Sequence, residues 1–182
     1  MKKYGLIALL LAALSFVGCA PKVDIKIISY NIRFSGGPDG DNSWQYRKQA
    51  SVNMMHEEVP TVMGCQEMLP DQIAFLLDAM PNYQAIGVGR DDGVSAGEHM
   101  AILYNTDQVE LLEWDTFWLS ESPEVPSYGW DAACKRTCTY ARFRDLKYEK
   151  EFVMLNTHLD HIGKEAKREG AALVARRSLE LI

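Results

Sequence analysis

Three polar side chains close apolar runs in an order that can assemble a phosphoester-handling site. Asn31 ends Ile27-Ile28-Ser29-Tyr30-Asn31, Glu67 ends Val62-Met63-Gly64-Cys65-Gln66-Glu67, and His158 ends Val153-Met154-Leu155-Asn156-Thr157-His158. Short continuous apolar runs are those of buried strands. Strands delivering their last side chains to one rim would gather an amide, a carboxylate and an imidazole there. That set can hold a divalent cation and act on a phosphate ester. Taken singly, Asn31 is equally a strand-end residue bonding loop backbone, and Glu67 a surface acid before Leu69-Pro70.

The elements around these residues alternate in type. A strand is predicted at 24–32, followed by the Gly- and Asp-rich loop 35–41. Asn42 or Ser43 can cap a helix that runs to about Glu58, where Val59-Pro60 ends it. The strand Thr61–Gln66 leads to Pro70, which opens a helix carrying Ile73, Leu76, Leu77 and Met80 at helical spacing. Strands are predicted at 83–88, 99–104 and 109–119, then a Pro- and aromatic-rich loop at 120–131. A hairpin of 137–145 and 151–157 precedes a helix from Lys164 onward. No repeat, low-complexity tract or interdomain linker interrupts the series, so a single α/β domain is expected.

The ordered residues resemble the endonuclease/exonuclease/phosphatase superfamily, the DNase I-like metal-dependent phosphohydrolases, over nearly everything after the leader. The resemblance implies an α/β fold, a two-sheet sandwich flanked by helices. It implies that Asn31 and Glu67 form a metal site for Mg²⁺, with Mn²⁺ or Ca²⁺ as alternatives. Hard Mg²⁺ suits one carboxylate and one amide oxygen, because it keeps several waters and takes the rest of its shell from substrate. Gly97-Glu98-His99-Met100-Ala101-Ile102-Leu103-Tyr104 looks like the segment whose Tyr hydroxyl reaches the scissile phosphate, which makes Tyr104 a catalytic candidate beside His158. Packing alone explains a strand-end Tyr as well. Gly129-Trp130-Asp131-Ala132-Ala133-Cys134-Lys135-Arg136 is similar to a segment of exported bacterial members. There Arg136 would clamp a phosphate through its planar fork, while Trp130 is either a wall or a packing residue. In Asn156-Thr157-His158-Leu159-Asp160-His161, His158 would donate to a phosphate oxygen or help protonate the leaving group. Asp160 and His161 would orient it or contact substrate. Arg33 could face a phosphate or equally form a surface ion pair, and the polar loop Arg90-Asp91-Asp92-Gly93 could contact substrate or be only a turn.

The superfamily also uses a later Gly-Asp-x-Asn and a Ser-Asp-His, and neither occurs between His161 and Ile182. The expectation is therefore the N-terminal part of such a domain over 24–182. Two alternatives follow. One is a non-catalytic surface lipoprotein or remnant that binds phosphate-bearing ligands. The other is a metallo-β-lactamase-like zinc hydrolase, whose His-x-His-x-Asp-His run fits 156–161 except that Asn156 replaces the first His. Substrates across the superfamily include nucleic acids, phospholipids, inositol phosphates and sugar phosphates, and no protein partner is implied.

The N-terminus carries an address. Lys2 and Lys3 precede an apolar run, Leu6 to Val17, that ends in Phe16-Val17-Gly18-Cys19. This is a secretory signal at 1–18. Cys19 sits where a bacterial lipobox places the lipidated first residue, with 19–23 as a tether. An envelope location, membrane-anchored through lipid, is expected. Removing Lys2 and Lys3 takes the formal charge from −6 to −8. That balance argues against a broad electrostatic grip on nucleic acid, which requires Lys and Arg facing phosphates. Cys134 and Cys138 on one strand would lie roughly 13 Å apart, too far to bridge. They are expected to be buried free thiols, and Cys65 a small core residue.

Overall fold

The computed structural model describes residues 23–181. The signal, Cys19 and most of the tether lie outside the described residues. β1 (Ile27–Asn31), β2 (Val62–Met68), β3 (Tyr83–Ile86) and β4 (His99–Asn105) form one sheet in the order β1-β2-β4-β3. β1 runs parallel to β2, and the other pairs are antiparallel. β5 (Val109–Trp118), β6 (Thr137–Asp145) and β7 (Glu151–Thr157) form an antiparallel second sheet. The parallel pair β1–β2 needs a crossover, and α1 (Trp44–Glu58) supplies it. α2 (Pro70–Ala79) follows β2, and α3 (Lys164–Glu180) follows β7. None of the helices among the described residues is long and apolar enough to cross a membrane.

Period-two alternation sorts the strand side chains between faces. Met63, Cys65, Ala101 and Leu103 join Val52, Met55 and Leu76 from the helices on the outer face of the first sheet. Val62, Ile102 and Tyr104 meet Val109, Ala141, Phe143 and Met154 between the sheets. Phe117, Leu119 and Cys138 pack with Leu173 of α3 on the far face of the second sheet. The result is the expected two-sheet sandwich flanked by helices.

One polar network crosses the inter-sheet core. Asn156, 3% exposed, donates from Nδ2 to the carbonyls of Cys65 (2.9 Å) and Ala101 (2.8 Å). Its Oδ1 accepts from Gln66 Nε2 at 2.6 Å. Gly64 makes room for it, since a Cβ there would meet Met154 Cε at 2.9 Å and Asn156 Oδ1 at 3.0 Å. These bonds fix the end of β7 against the end of β2. Replacing Asn156 with Leu keeps the volume, takes the Nδ2 donor from two buried carbonyls, and leaves the Gln66 amide only its longer bonds to the Gly64 carbonyl (3.2 Å) and Ser29 Oγ (3.3 Å). Each unsatisfied group costs about 1–3 kcal/mol, so urea unfolding should show a loss of about 3 kcal/mol. An unchanged midpoint would mean the network is not what registers the sheets.

Candidate functional site

The rim where β2 and β7 end is a cleft of about 420 Å³ lined by Arg33, Phe34, Glu67, Arg90, Glu98, Cys134, Arg136, His158 and His161. Simple alternation would send Glu67 to the helix-covered face with Met63 and Cys65. Instead the register shifts between Cys65 and Met68, and Glu67 takes a φ of +62°. A bulge of this kind re-aims a side chain. It returns Met68 to the buried face and leaves Glu67 at the rim. A left-handed conformation in a non-glycine residue costs of order 1 kcal/mol, and such strain concentrates at functional positions.

Only one oxygen of Glu67 is hydrogen-bonded. Its Oε1 accepts from Asn31 Nδ2 at 2.8 Å, whereas Oε2 is buried without a hydrogen-bond partner. Arg33 Nη1 lies 3.8 Å from Oε2, and His158 Nδ1 lies 3.9 Å from Oε1. A buried carboxylate oxygen with no donor is a site for a cation, so the residues present fit the divalent metal that the family resemblance implies. Asn31 Oδ1 accepts the Arg33 backbone N–H at 2.9 Å. Asn31 thus orients Glu67 with its nitrogen and retains one lone pair on its oxygen for a metal.

Arg136, expected to clamp substrate phosphate, is only 5% exposed. Its fork reaches His158 Nδ1 at 3.2 Å and His161 Nδ1 at 3.0 Å, and its Nε faces Asp160 Oδ2 at 3.5 Å. Arginine only donates. Both Nδ1 atoms must therefore accept, which places the ring protons on Nε2. Burial, reinforced by the Arg136 charge and opposed by Glu67, pushes the His158 pKa down. His158 is thus a neutral imidazole with an Nε2–H to donate.

Three expectations need correction. Tyr104 is not at this rim. It pairs with Val62, at the opposite end of β2 from Glu67 and roughly 16 Å along the strand. It is 5% exposed in the inter-sheet core, and its hydroxyl donates to Gln84 Oε1 at 2.6 Å. Asp160, assigned to substrate, is 3% exposed and saturated instead. It accepts from the backbone N–H of Ile162 (2.9 Å), Gly163 (2.7 Å) and Ala133 (3.2 Å). Cys134 precedes β6 rather than lying on it, and is a half-buried thiol in the cleft; Cys65 and Cys138 are buried and all three are free. In the same segment, Trp130 is half-buried and outside the cleft lining. Asp131 accepts the N–H of Lys164 (3.0 Å) and Ala166 (2.7 Å), capping α3 from a distance. Glu98 and Phe34 are cleft residues that sequence reasoning passed over.

The zinc alternative fails on its own donors. In the run 156–161, Asn156 is locked between the sheets, and Arg136 occupies Nδ1 of both histidines. Ligand atoms of Cys134, Asp160 and His161 do lie within 4.8 Å of one another, but the Arg136 guanidinium already supplies the positive charge among them.

Solved structures carry the same arrangement of elements. A mannosyl-6-phosphatase from Bacteroides thetaiotaomicron superimposes with a TM-score of 0.84 at 41% identity, covering 87% of this chain and 60% of that one. An endonuclease/exonuclease/phosphatase from Bacteroides vulgatus gives 0.83 at 42%, covering 86% and 60%. The chain belongs to the endonuclease/exonuclease/phosphatase superfamily. It spans about 60% of the length of these Bacteroides members. Among curated proteins, the uncharacterized protein L388 of Acanthamoeba polyphaga mimivirus is 27% identical over 139 residues, covering 72% of this chain and 51% of that one. No family model matches. D. rerio TDP2, at 17% identity and a TM-score of 0.64, shares the fold.

The Asp160 anchor has a pH signature. Burial raises its pKa, but the N–H groups of Gly163 and Ile162 together with Arg136 outweigh this and hold it at about 2, below the ordinary 3.8. A carboxyl depressed on folding stabilises above its unfolded pKa, and that stability is lost as pH falls through the folded value. Wild-type protein should therefore lose urea resistance between about pH 4 and pH 2. Asp160→Asn should be weaker at pH 7 and show a shallower fall in that window. Parallel profiles would exclude Asp160 as the acid-sensitive anchor.

Proposed function

We propose that this protein is a Mg²⁺-dependent phosphoester hydrolase acting on small phosphomonoesters, with a sugar phosphate favoured. The observation that carries the reading is the orphaned Glu67 Oε2 opening onto a cleft with three arginines and two histidines. A terminal phosphate carries close to two negative charges, and locally concentrated guanidinium groups inside an acidic chain suit a small dianion better than a long polyanion. The name of the Bacteroides mannosyl-6-phosphatase, similar over most of this chain, supports the same substrate class.

In this reading Glu67, oriented by Asn31, would hold the cation. The metal supplies neutralisation of the charge that builds on phosphoryl oxygens. His158, fixed by Arg136 with its proton on Nε2, donates a hydrogen bond to a non-bridging oxygen. Arg33, stacked 4.6 Å over Phe34 and paired with Asp39 at 3.0 Å, faces the phosphate across the cleft. Water attacks phosphorus in line and the P–O bond to the alcohol breaks; the water's OH stays on phosphorus and its other proton ends on the departing alcohol, so ester and water become alcohol and hydrogen phosphate.

Hydrolysis of p-nitrophenyl phosphate and mannose 6-phosphate in Mg²⁺, with and without EDTA, tests this. Glu67→Gln and His158→Ala should each lower kcat/KM on the order of 100-fold. Undiminished turnover in Glu67→Gln would refute the metal assignment. Binding of inorganic phosphate without turnover of either ester would favour the non-catalytic lipoprotein reading.

We also propose that the protein is exported and lipid-anchored through Cys19, from the leader pattern alone. Cys19→Ser should move it from the membrane to the soluble fraction of the producing cells. Unaltered fractionation would remove the anchor.

A further inference from the structure

The cleft contains one charged pair to which the hydrolysis above gives no specific contact, Arg90 entering it only as part of the local positive charge. Arg90 and Glu98 stand on opposite arms of the loop between β3 and β4, with Arg90 Nη1 2.6 Å from Glu98 Oε2. Both line the cleft, and both side chains are 16% exposed. Arg90 Nε is buried without a partner, so the guanidinium is not saturated by its surroundings.

The pair is held in place before any ligand arrives. Arg90 N–H donates to the Glu98 carbonyl at 3.1 Å, and Asp91 N–H to the Ala96 carbonyl at 3.0 Å. Asp92 Oδ1 accepts from the N–H groups of Val94, Ser95 and Ala96 at 2.8, 3.0 and 2.9 Å. Two other parts of the chain pin the loop from outside: Trp118 Nε1 donates to the Arg90 carbonyl at 2.7 Å, and Lys135 Nζ to the Asp91 carbonyl at 2.8 Å. Gly97, at φ +82°, closes the turn where a Cβ would sit 2.5 Å from Asp91 Oδ2. Side chains on so constrained a loop give up little freedom on binding.

We propose that Arg90 and Glu98 form the subsite for the leaving alcohol and select phosphoesters whose alcohol carries neighbouring hydroxyls, a sugar or similar polyol. This rests on the phosphoester-hydrolase reading above. A carboxylate is repelled by a phosphate, so Glu98 belongs on the alcohol side of the substrate and not on the phosphoryl side. A hydroxyl both donates and accepts, whereas a carboxylate only accepts and a guanidinium only donates. Two adjacent hydroxyls therefore match an Arg–Glu pair, one donating to Glu98 and the other accepting from Arg90. Hydrogen bonds to ionised groups are the stronger kind. Because Arg90 and Glu98 satisfy each other when no hydroxyl is present, an alkyl phosphate is not strongly rejected, and discrimination stays modest, at roughly tenfold.

Calorimetric titration in EDTA, where the Mg²⁺-dependent hydrolysis proposed above does not run, with mannose 6-phosphate and with methyl phosphate reads the preference independently of turnover. The wild-type protein should bind mannose 6-phosphate roughly tenfold more tightly than methyl phosphate. Glu98→Gln should bring that ratio to within about twofold of unity, since an amide forms weaker hydrogen bonds than a carboxylate. Arg90→Lys retains the charge and the ion pair while removing the planar fork, and should also reduce the ratio. It carries the test if circular dichroism shows Glu98→Gln unfolded. An equal wild-type affinity for both ligands, or an unaltered ratio in the folded variants, overturns the proposal. A normal ratio without turnover of either ester in Mg²⁺ would instead count against hydrolysis and leave this subsite standing.

Discussion

The site depends on one buried amide. Asn156 bonds the Cys65 and Ala101 carbonyls and the Gln66 side chain across the space between the sheets. Apolar contacts between two sheets are non-directional and tolerate sliding. A hydrogen-bonded amide in a low-dielectric interior does not, because any shift exposes unsatisfied groups. Glu67 follows Gln66 by one residue and His158 follows Asn156 by two, so the network that registers the sheets also sets the carboxylate-to-imidazole separation at 3.9 Å. Gly64 belongs to the same device, being the absence of a side chain that lets Asn156 approach.

Charge in the cleft is arranged by a similar economy of donors. Arg136 lies between two imidazoles and a carboxylate and can only donate, so it fixes ring tautomers that a neutral residue would leave undetermined. It also helps keep His158 neutral while Asp160 stays ionised beside it. An overall acidic chain, with a formal charge of −6, thus concentrates positive charge where an anionic ester would sit. Metal and guanidinium groups would share the neutralisation between them.

The resemblance noted from Asn31, Glu67 and His158 and the superposition on Bacteroides structures lead to the same superfamily by separate routes. The residues carrying the resemblance did not all keep the roles it implied. Glu67 and His158 meet at the rim, whereas Tyr104 packs at the far end of β2 and Asp160 anchors a loop. A motif fixes which residue types occur together in sequence. It does not fix which end of a strand faces the cleft, and Tyr104 sits six residues after Glu98 on a chain running back across the sheet.

The sequence by itself determined the element order and the strand and helix types, because these follow from local apolar periodicity and from Pro and Gly punctuation; the expected cap did not form, since the Ser43 side chain makes no capping hydrogen bond. It also placed an amide, a carboxylate and an imidazole at the ends of three strands, although only β2 is buried along its length and β1 is a largely exposed edge strand with Ile27 56% exposed. Only the tertiary structure decided what those side chains touch. The bulge that aims Glu67 outward, the turn of Arg136 from substrate toward its own histidines, and the Arg90–Glu98 pair all depend on long-range contacts. Residues 22 to 91 positions apart set Arg136 and the rim, as from Arg136 to His158 and from Cys65 to Asn156, and Trp118 and Lys135 pin the loop of the Arg90–Glu98 pair from 28 and 44 positions away. Local pattern carries no information about such distances, since a strand's periodicity is the same whichever neighbour it meets.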